Sequence, residues 1–180
     1  MRTQLSYPLV LAAGTGMLLC LACDGKKLHR GAFAAGVILV VWLGASQLFT
    51  TLRLYGTELY VFRKEKEMAE EIMELAAGED EKEQTMVLAV IGKSRPSLPS
   101  WALEGETIGK SFFEWDSTPG RGTTDRVCGF LKALGYPVEA ADEEQFLWAL
   151  SYGDGMPDWD DPWSVQRANG MVIVKLSQQE

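Results

Sequence analysis

Histidine and cysteine are scarce in this chain of 180 residues. It has one histidine, His29, and three cysteines, of which only Cys128 lies beyond residue 55. Three cysteines are too few for a fold built on disulfide bonds. Without histidine, residues 56–180 hold no Ser-His-Asp triad, no Cys-His pair and no histidine-based zinc site. A single cysteine there cannot supply a set of thiolate ligands.

Glycine-rich motifs that bind nucleotides are missing as well. The chain has no phosphate-binding loop of the Walker type. No G-x-G-x-x-G pattern follows the valine-rich segment 85–91, where a dinucleotide-binding domain would have one. We therefore predict neither a cofactor nor a metal ion.

Basic side chains are in the minority after residue 55. Residues 56–180 contain 12 basic and 24 acidic side chains, a net charge of −12. Residues 1–55 contain five basic side chains and one acidic, a net charge of +4. Because nucleic-acid phosphates require a basic surface, the acidic part argues against nucleic acid as a partner. The contrast also divides the chain into two chemically different parts.

Two long segments lack charge altogether. Residues 3–23 and 31–52 are uncharged runs of 21 and 22 residues with mostly apolar centres. About 20 such residues in a helix cross the hydrocarbon core of a bilayer, roughly 30 Å thick. The connection at 24–30 is too short to recross the membrane. Residues 1–55 are therefore predicted to form an α-helical hairpin of two transmembrane helices, integral to the cytoplasmic membrane.

The orientation of this hairpin depends on basic residues, which are enriched on the cytoplasmic side. The connection carries Lys26, Lys27 and Arg30, which favours a cytoplasmic connection. Four further basic side chains within about 15 residues of the second run favour the opposite; they are Arg53, Arg63, Lys64 and Lys66. We favour a cytoplasmic connection and an extracytoplasmic second domain, because the charges of the connection and a resemblance to a membrane-protein family agree on this orientation.

Residues 56–180 are predicted to form a small soluble acidic α/β domain. Gly56 interrupts the apolar run, and helical spacing of apolar residues then continues to residue 76. Val-rich residues 85–91 indicate a buried strand, and Pro137 places the next strand at a sheet edge. Asn169-Gly170 between two β-rich runs indicates a hairpin. The order of the remaining elements is an extended segment at 111–116, a helix at 124–134, a strand at 136–140, a helix from 142 and a hairpin at 164–176. The carboxylate of Asp142 can cap the backbone N–H of Gln145 at the start of its helix. We expect helices packed on a small mixed sheet with a C-terminal β-hairpin.

Carboxylates are the remaining candidates for chemistry. Glu114 and Asp116 lie two residues apart, and on an extended strand their backbones would be roughly 6.6 Å apart on one face. Paired carboxylates can perform acid–base chemistry on glycosides. Arg121 and Arg126 are near enough in sequence to pair with them, which favours a structural turn. These four residues are the predicted polar cluster, and no catalytic residue is assigned.

Two further residue sets have alternative interpretations. An acidic loop could supply oxygen ligands to calcium but lacks the Asp-x-Asp-x-Asp-Gly spacing, so we interpret it as solvated; it contains Asp154, Asp158, Asp160 and Asp161. Five tryptophans follow residue 55, and we predict core positions for them over sugar-stacking positions; they are Trp101, Trp115, Trp148, Trp159 and Trp163.

A series of short segments resembles the C-terminal region of a bacterial membrane glucosyltransferase of the serotype-converting, O-antigen-glucosylating family. The segments are TMVLAVIG at 85–92, GKSFFEWD at 109–116, FLKALGY at 130–136, MP at 156–157, SV at 164–165 and VIVKLS at 172–177. The resemblance implies a polytopic enzyme that transfers glucose from a polyprenyl-phosphate carrier to cell-surface polysaccharide. It also implies that the catalytic acids lie in an N-terminal region that has no counterpart here.

The resemblance predicts that this chain is a truncated member or a separate tail of such an enzyme. Its implied partners are a polytopic membrane protein or a lipid-linked sugar. The alternative is a non-enzymatic, membrane-anchored interaction module. Whether the chain belongs to an enzyme is left open at this point.

Overall fold

The computed structural model describes residues 14–16, 30–77, 85–115 and 120–177. Apart from the helical residues 14–16, the first predicted span at 3–23 lies outside the described residues, as do residues 24–29 of the predicted connection. The chain divides into two compact units, Met1–Leu52 and Arg53–Glu180. We call the second unit the head domain.

Helix α1 runs from Arg30 to Ala76. Within the described part of the chain, it is the one helix long and apolar enough to cross a membrane. Large apolar side chains are exposed along its first half, among them Ile38 at 68% and Trp42 at 64%. Side chains of this kind are placed in lipid more favourably than in water. The described residues thus hold one long apolar helix, where the sequence analysis predicted two spans.

Gly56 interrupts the apolar run in the sequence but not the helix, which continues through it to Ala76. Glycine costs about 1 kcal/mol relative to alanine inside a helix, which packing can offset. The packing here is with Trp101, because a Cβ at Gly56 would lie 3.3 Å from its Cζ3 atom. Gly56 thus allows a tryptophan ring to approach the helix backbone.

The head domain contains a mixed four-stranded sheet, in the order β2-β1-β4-β3. The central strand β1 is parallel to β2 and to β4, and β3 pairs with β4 in an antiparallel hairpin. The predicted small mixed sheet with a C-terminal hairpin is confirmed. The elements are β1 Met86–Ile91, α2 Thr124–Ala133, β2 Val138–Ala140, α3 Glu143–Gly153, a 3-10 turn at Pro162–Ser164, β3 Val165–Ala168 and β4 Met171–Lys175.

The sheet has a buried layer on each face, because successive strand side chains point to opposite sides. Leu88 and Val90 join a core that includes residues of α1 and α2. Ala89 and Ile91 join a second core, in which α3 contributes Phe146 and Ala149. The head domain therefore has three layers, with helices on both faces of the sheet.

Local signals place several elements as predicted. The Asp142 carboxylate accepts a hydrogen bond from the backbone N–H of Gln145, and the Gln145 side chain accepts one from the backbone N–H of Asp142, which completes a capping box at the start of α3. Asn169 and Gly170 have φ of 51° and 74°, as required between two antiparallel strands. β2 follows Pro137 and lies at the sheet edge.

Residues 111–115 do not form the predicted extended segment. They form a turn, in which the backbone N–H of Glu114 donates to the carbonyl of Ser111 at 3.2 Å. The reason is a long-range contact, since a buried carboxylate of α1, Glu65, accepts hydrogen bonds from Ser111 and from the backbone of Phe112. A turn can direct both donors at one oxygen, whereas neighbouring strand residues point to opposite faces.

The prediction that the tryptophans lie in the core is wrong. None of the five in the head domain is buried, and exposure reaches 71% at Trp163. The core is filled by smaller residues, because closely packed strands and helices leave little volume for an indole ring. Of the five, Trp159 is partly buried and packs against the core on the α1–α2 side of the sheet.

Cys128 lies buried in α2, and burial raises the pKa of its thiol to about 12. We expect iodoacetamide at pH 8 to modify it roughly a thousandfold more slowly than a free thiol, because the thiolate is the reactive form. The measurement uses the full chain with Cys20→Ser and Cys23→Ser in detergent. Urea should restore ordinary reactivity, and rapid labelling without urea would contradict the burial.

Candidate functional site

The predicted polar cluster has separate partners in the structure. Asp116 lies outside the described residues. Glu114 is 22% exposed and lies 3.8 Å from Arg95 Nε and 3.7 Å from Lys110 Nζ. Its ion-pair partners therefore come from the loop after β1 and from its own turn, and they hold that turn against the loop.

The two arginines of the cluster are engaged elsewhere. Arg121 lies 3.3 Å from the carboxylate of Asp125 and donates to the carbonyl of Ala141 at 3.4 Å. Arg126 stacks its guanidinium over the ring of Trp115, 5.2 Å from the ring centre. These contacts are those of surface residues that fasten a turn to helix α2.

The acidic loop is part of the packing around β4. Asp158 pairs with the buried Lys175 at 3.3 Å, and the Asp161 carboxylate accepts from the backbone N–H of Trp163. Lys175 also donates to the carbonyl of Met156 at 2.7 Å. Among the residues that the structure describes, no group of three or more acidic, histidine or cysteine side chains is arranged to hold a metal ion.

The strongest candidate site is a cavity of about 380 Å³ beside α1, which we call the α1 cavity. Its walls come from α1, from the loop after β1, from the turn at 111–113 and from the acidic loop. It combines charged groups of both signs with aromatic rings, a composition typical of sites for polar ligands. Its lining residues are Tyr60, Lys64, Glu65, Met68, Ser94, Arg95, Pro96, Ser97, Ser111, Phe113, Trp159 and Asp160.

Glu65 is the buried charged group of this cavity, at 3% exposure. Burial raises the pKa of its carboxyl above the ordinary value, and the hydrogen bonds from Ser111 and Phe112 oppose that rise. The Ser111 hydroxyl donates to Glu65 Oε1 at 2.8 Å, and the Phe112 N–H donates to the same oxygen. Glu65 thus fixes the wall of the cavity, and a buried carboxyl with a raised pKa is a feature that functional sites often contain.

The two cations of the cavity, Lys64 and Arg95, are each paired with a glutamate. Lys64 pairs with Glu67 at 2.6 Å, and Arg95 pairs with Glu104. Asp160 has φ of 84°, a left-handed conformation that is uncommon outside glycine. Strain of this kind concentrates at binding sites and turns. The arrangement offers two cations, one accessible carboxylate and the ring of Trp159 to a polar ligand.

A second cavity, of about 350 Å³, lies where β1 and β4 begin. Its polar side chains are few, and Arg167 is already bonded to the carbonyl of Ala76 at 2.8 Å. Backbone and apolar groups of Met86, Val172 and their neighbours form much of the rest. The α1 cavity therefore has the richer chemistry.

Glu65 is not among the candidate residues predicted from the sequence. A signal was present, because Val61, Glu65 and Ala69 are spaced four residues apart and all three are buried. A single acid on the apolar stripe of a helix indicates a buried carboxylate with partners elsewhere in the fold. Comparisons with protein-family models, with curated proteins and with solved structures found no match.

Proposed function

We propose that this protein is a membrane-anchored binding domain, held by one or two helices and presenting the α1 cavity to a polar ligand. The observation that supports it is the exposure of large apolar side chains along the first half of α1. The α1 cavity, with its cations and aromatic rings, follows on the same helix. A membrane-anchored binding domain of this kind is the non-enzymatic interaction module that the sequence offered as the alternative to a glucosyltransferase.

The glucosyltransferase prediction is the second and more specific candidate. In it, the chain is the C-terminal part of an enzyme that glucosylates cell-surface polysaccharide, without the catalytic region. Trp159 and Tyr60 give the cavity aromatic surface beside hydrogen-bonding groups, and this combination supports a sugar-containing ligand. A lipid-linked sugar or the acceptor polysaccharide would then be the ligand.

The two-span hairpin belongs to this proposal as well. Residues 3–23 would form the first span and residues 31–52 the second, with the connection in the cytoplasm. The head domain would then face the extracytoplasmic side, where surface polysaccharide is glucosylated. A cysteine-accessibility experiment with a membrane-impermeant reagent on intact cells would test the side directly.

A gene deletion separates the two candidates. The glucosyltransferase candidate predicts that glucose is lost from the surface polysaccharide and restored by the full chain. The interaction-module candidate predicts unchanged polysaccharide and one specific protein recovered by cross-linking. Unchanged polysaccharide with no recovered partner would contradict both.

Lys64→Ala and Lys66→Ala form a matched pair for testing the cavity. Both lysines pair with a glutamate of α1, at 2.6 Å and 3.5 Å, and only Lys64 lines the cavity. We expect Lys64→Ala to reduce partner recovery or polysaccharide glucosylation, while Lys66→Ala leaves them unchanged. Both variants should have the same free energy of unfolding as wild type, because exposed ion pairs contribute little to stability. Equal effects of the two substitutions would contradict a role of the cavity.

A further inference from the structure

A loop of the head domain is fastened to α1 just after the uncharged run ends in the sequence. The side chain of Arg53 donates to the carbonyls of Trp101 and Ala102, at 2.8 Å and 3.4 Å. Thr57 accepts a hydrogen bond from the N–H of Leu103 at 2.9 Å. Together with the contact between the Trp101 ring and Gly56, these bonds hold a half-exposed tryptophan beside the helix.

Helix geometry gives the depth of this tryptophan relative to a bilayer. The 22 residues of the run 31–52 extend about 33 Å as a helix, enough for the hydrocarbon core of roughly 30 Å. Gly56 follows Leu52 by four residues, or about 6 Å of helix. The polar layer on each side of the core is about 5–7 Å thick. With the run 31–52 placed across the hydrocarbon core, Trp101, which lies against Gly56, falls at the level of the lipid headgroups.

The exposed aromatic groups at this level are the types that bilayer interfaces favour. Tyr55 is 70% exposed and Trp101 is 47% exposed. Tyr60 packs edge-on against Trp101, with ring centres 6.2 Å apart. Tryptophan and tyrosine are enriched at headgroup depth because one end of each ring is apolar and the other can donate a hydrogen bond.

The loop backbone is also suited to a layer with less water. A carbonyl or N–H that leaves water without a partner costs free energy. Here the carbonyls of Trp101 and Ala102 are bonded to Arg53, the N–H of Leu103 to Thr57, and the N–H of Ala102 to the carbonyl of Pro99 at 2.9 Å. The segment 101–103 thus enters the layer with most of its polar backbone groups already satisfied.

We propose that Trp101 and Tyr55 insert into the headgroup layer of the lipid bilayer, so that the loop 99–103 is a second contact of the head domain with the membrane. This inference rests on the proposed membrane span. It adds that the α1 cavity, which shares Tyr60 with the loop, opens near the lipid surface. The ligand of the cavity would then be reached from the membrane side.

Tryptophan fluorescence of the full chain in phosphatidylcholine vesicles tests this inference. We expect a lipid with a nitroxide on its headgroup to quench wild type strongly, and Trp101→Phe to lose a share of that quenching. Trp163→Phe is the matched control, because Trp163 is 71% exposed and is proposed to face water. It should instead lose quenching by aqueous iodide and keep the headgroup quenching.

The span and the loop are tested separately in the same sample. Lipids brominated deep in their chains should quench the fluorescence of Trp42. If they do not quench it, the proposed membrane span is wrong. If Trp42 is quenched while Trp101→Phe reduces iodide quenching, Trp101 faces water and the inference is wrong. If neither quencher reaches Trp101, a protein surface covers it, and the inference is also wrong.

A second measurement avoids dependence on the folding of Trp101→Phe. Exposed Ser100 can be changed to cysteine and labelled with a nitroxide, with all three native cysteines replaced by serine. The nitroxide should collide more often with oxygen, which is enriched in lipid, than with an aqueous nickel chelate, as expected for a label at a lipid interface. The opposite ratio would overturn the inference.

Discussion

Replacing Gly92 by alanine should destabilise the head domain by about 3–5 kcal/mol, a large part of the stability of an ordinary domain. Gly92 follows β1 with φ of 76°, a conformation that costs other residues about 1–2 kcal/mol. A Cβ there would also lie 2.2 Å from the carbonyl oxygen of Ser177, which follows β4. The clash is with backbone, so relief would require the ends of two central strands to separate.

Urea unfolding of the full chain in detergent, monitored by tryptophan fluorescence, measures this effect. Gly135→Ala is the control for conformation, because Gly135 has φ of 95° but no atom within 4 Å of an added Cβ; we expect a loss of about 1–2 kcal/mol. Gly129→Ala, on the exposed side of α2 with nothing within 4 Å, should gain up to about 1 kcal/mol. Equal losses at Gly92 and Gly135 would show that the contact with Ser177 does not matter.

Replacing Glu65 by alanine should cost about 2–4 kcal/mol. The substitution leaves the Ser111 hydroxyl and the Phe112 N–H without their acceptor, and each unsatisfied buried donor costs about 1–3 kcal/mol. Part of the cost is offset, because a carboxyl whose burial is unfavourable is removed at the same time. Urea unfolding at pH 7 measures the difference.

Glu65→Gln separates the acceptor role of this residue from its charge. The glutamine carbonyl can still accept both hydrogen bonds, so at neutral pH we expect stability equal to or above that of wild type. The pKa of Glu65 is higher in the folded state than in the unfolded state, where it is about 4.3. Wild type therefore loses stability as the pH rises from the unfolded-state pKa through the folded-state pKa. The glutamine variant should lack that loss. Identical pH profiles from pH 4 to 8 would contradict the shift.

Sequence predicted those parts of the fold that local chemistry determines. The capping box at Asp142 and the Asn169-Gly170 turn are signals contained within a few residues. The apolar run that became β1 was recognisable because a strand buried on both faces needs no polar alternation. These features depend on neighbours in the chain, and the structure confirms them.

Long-range contacts explain the errors. The sequence did not show that α1 continues through Gly56, because Trp101, which packs on this glycine, lies in another segment. The segment after Lys110 looked extended because the carboxylate of Glu65 that organises its turn is on α1. For the candidate site, spacing suggested pairing of Glu114 with nearby arginines, whereas its partners are Arg95 and Lys110. No local pattern records which segments meet.

The pairing of β1 with β4 has a consequence for the order in which the domain folds. β1 is central, yet Val87 pairs with Met171, so one of its edges stays open until nearly the whole head has been synthesised. Sheets with such distant pairings form slowly, and an open valine-rich strand is prone to aggregation while it waits. Biosynthesis of this protein should therefore be sensitive to chaperone supply and growth temperature, with aggregation beginning at β1.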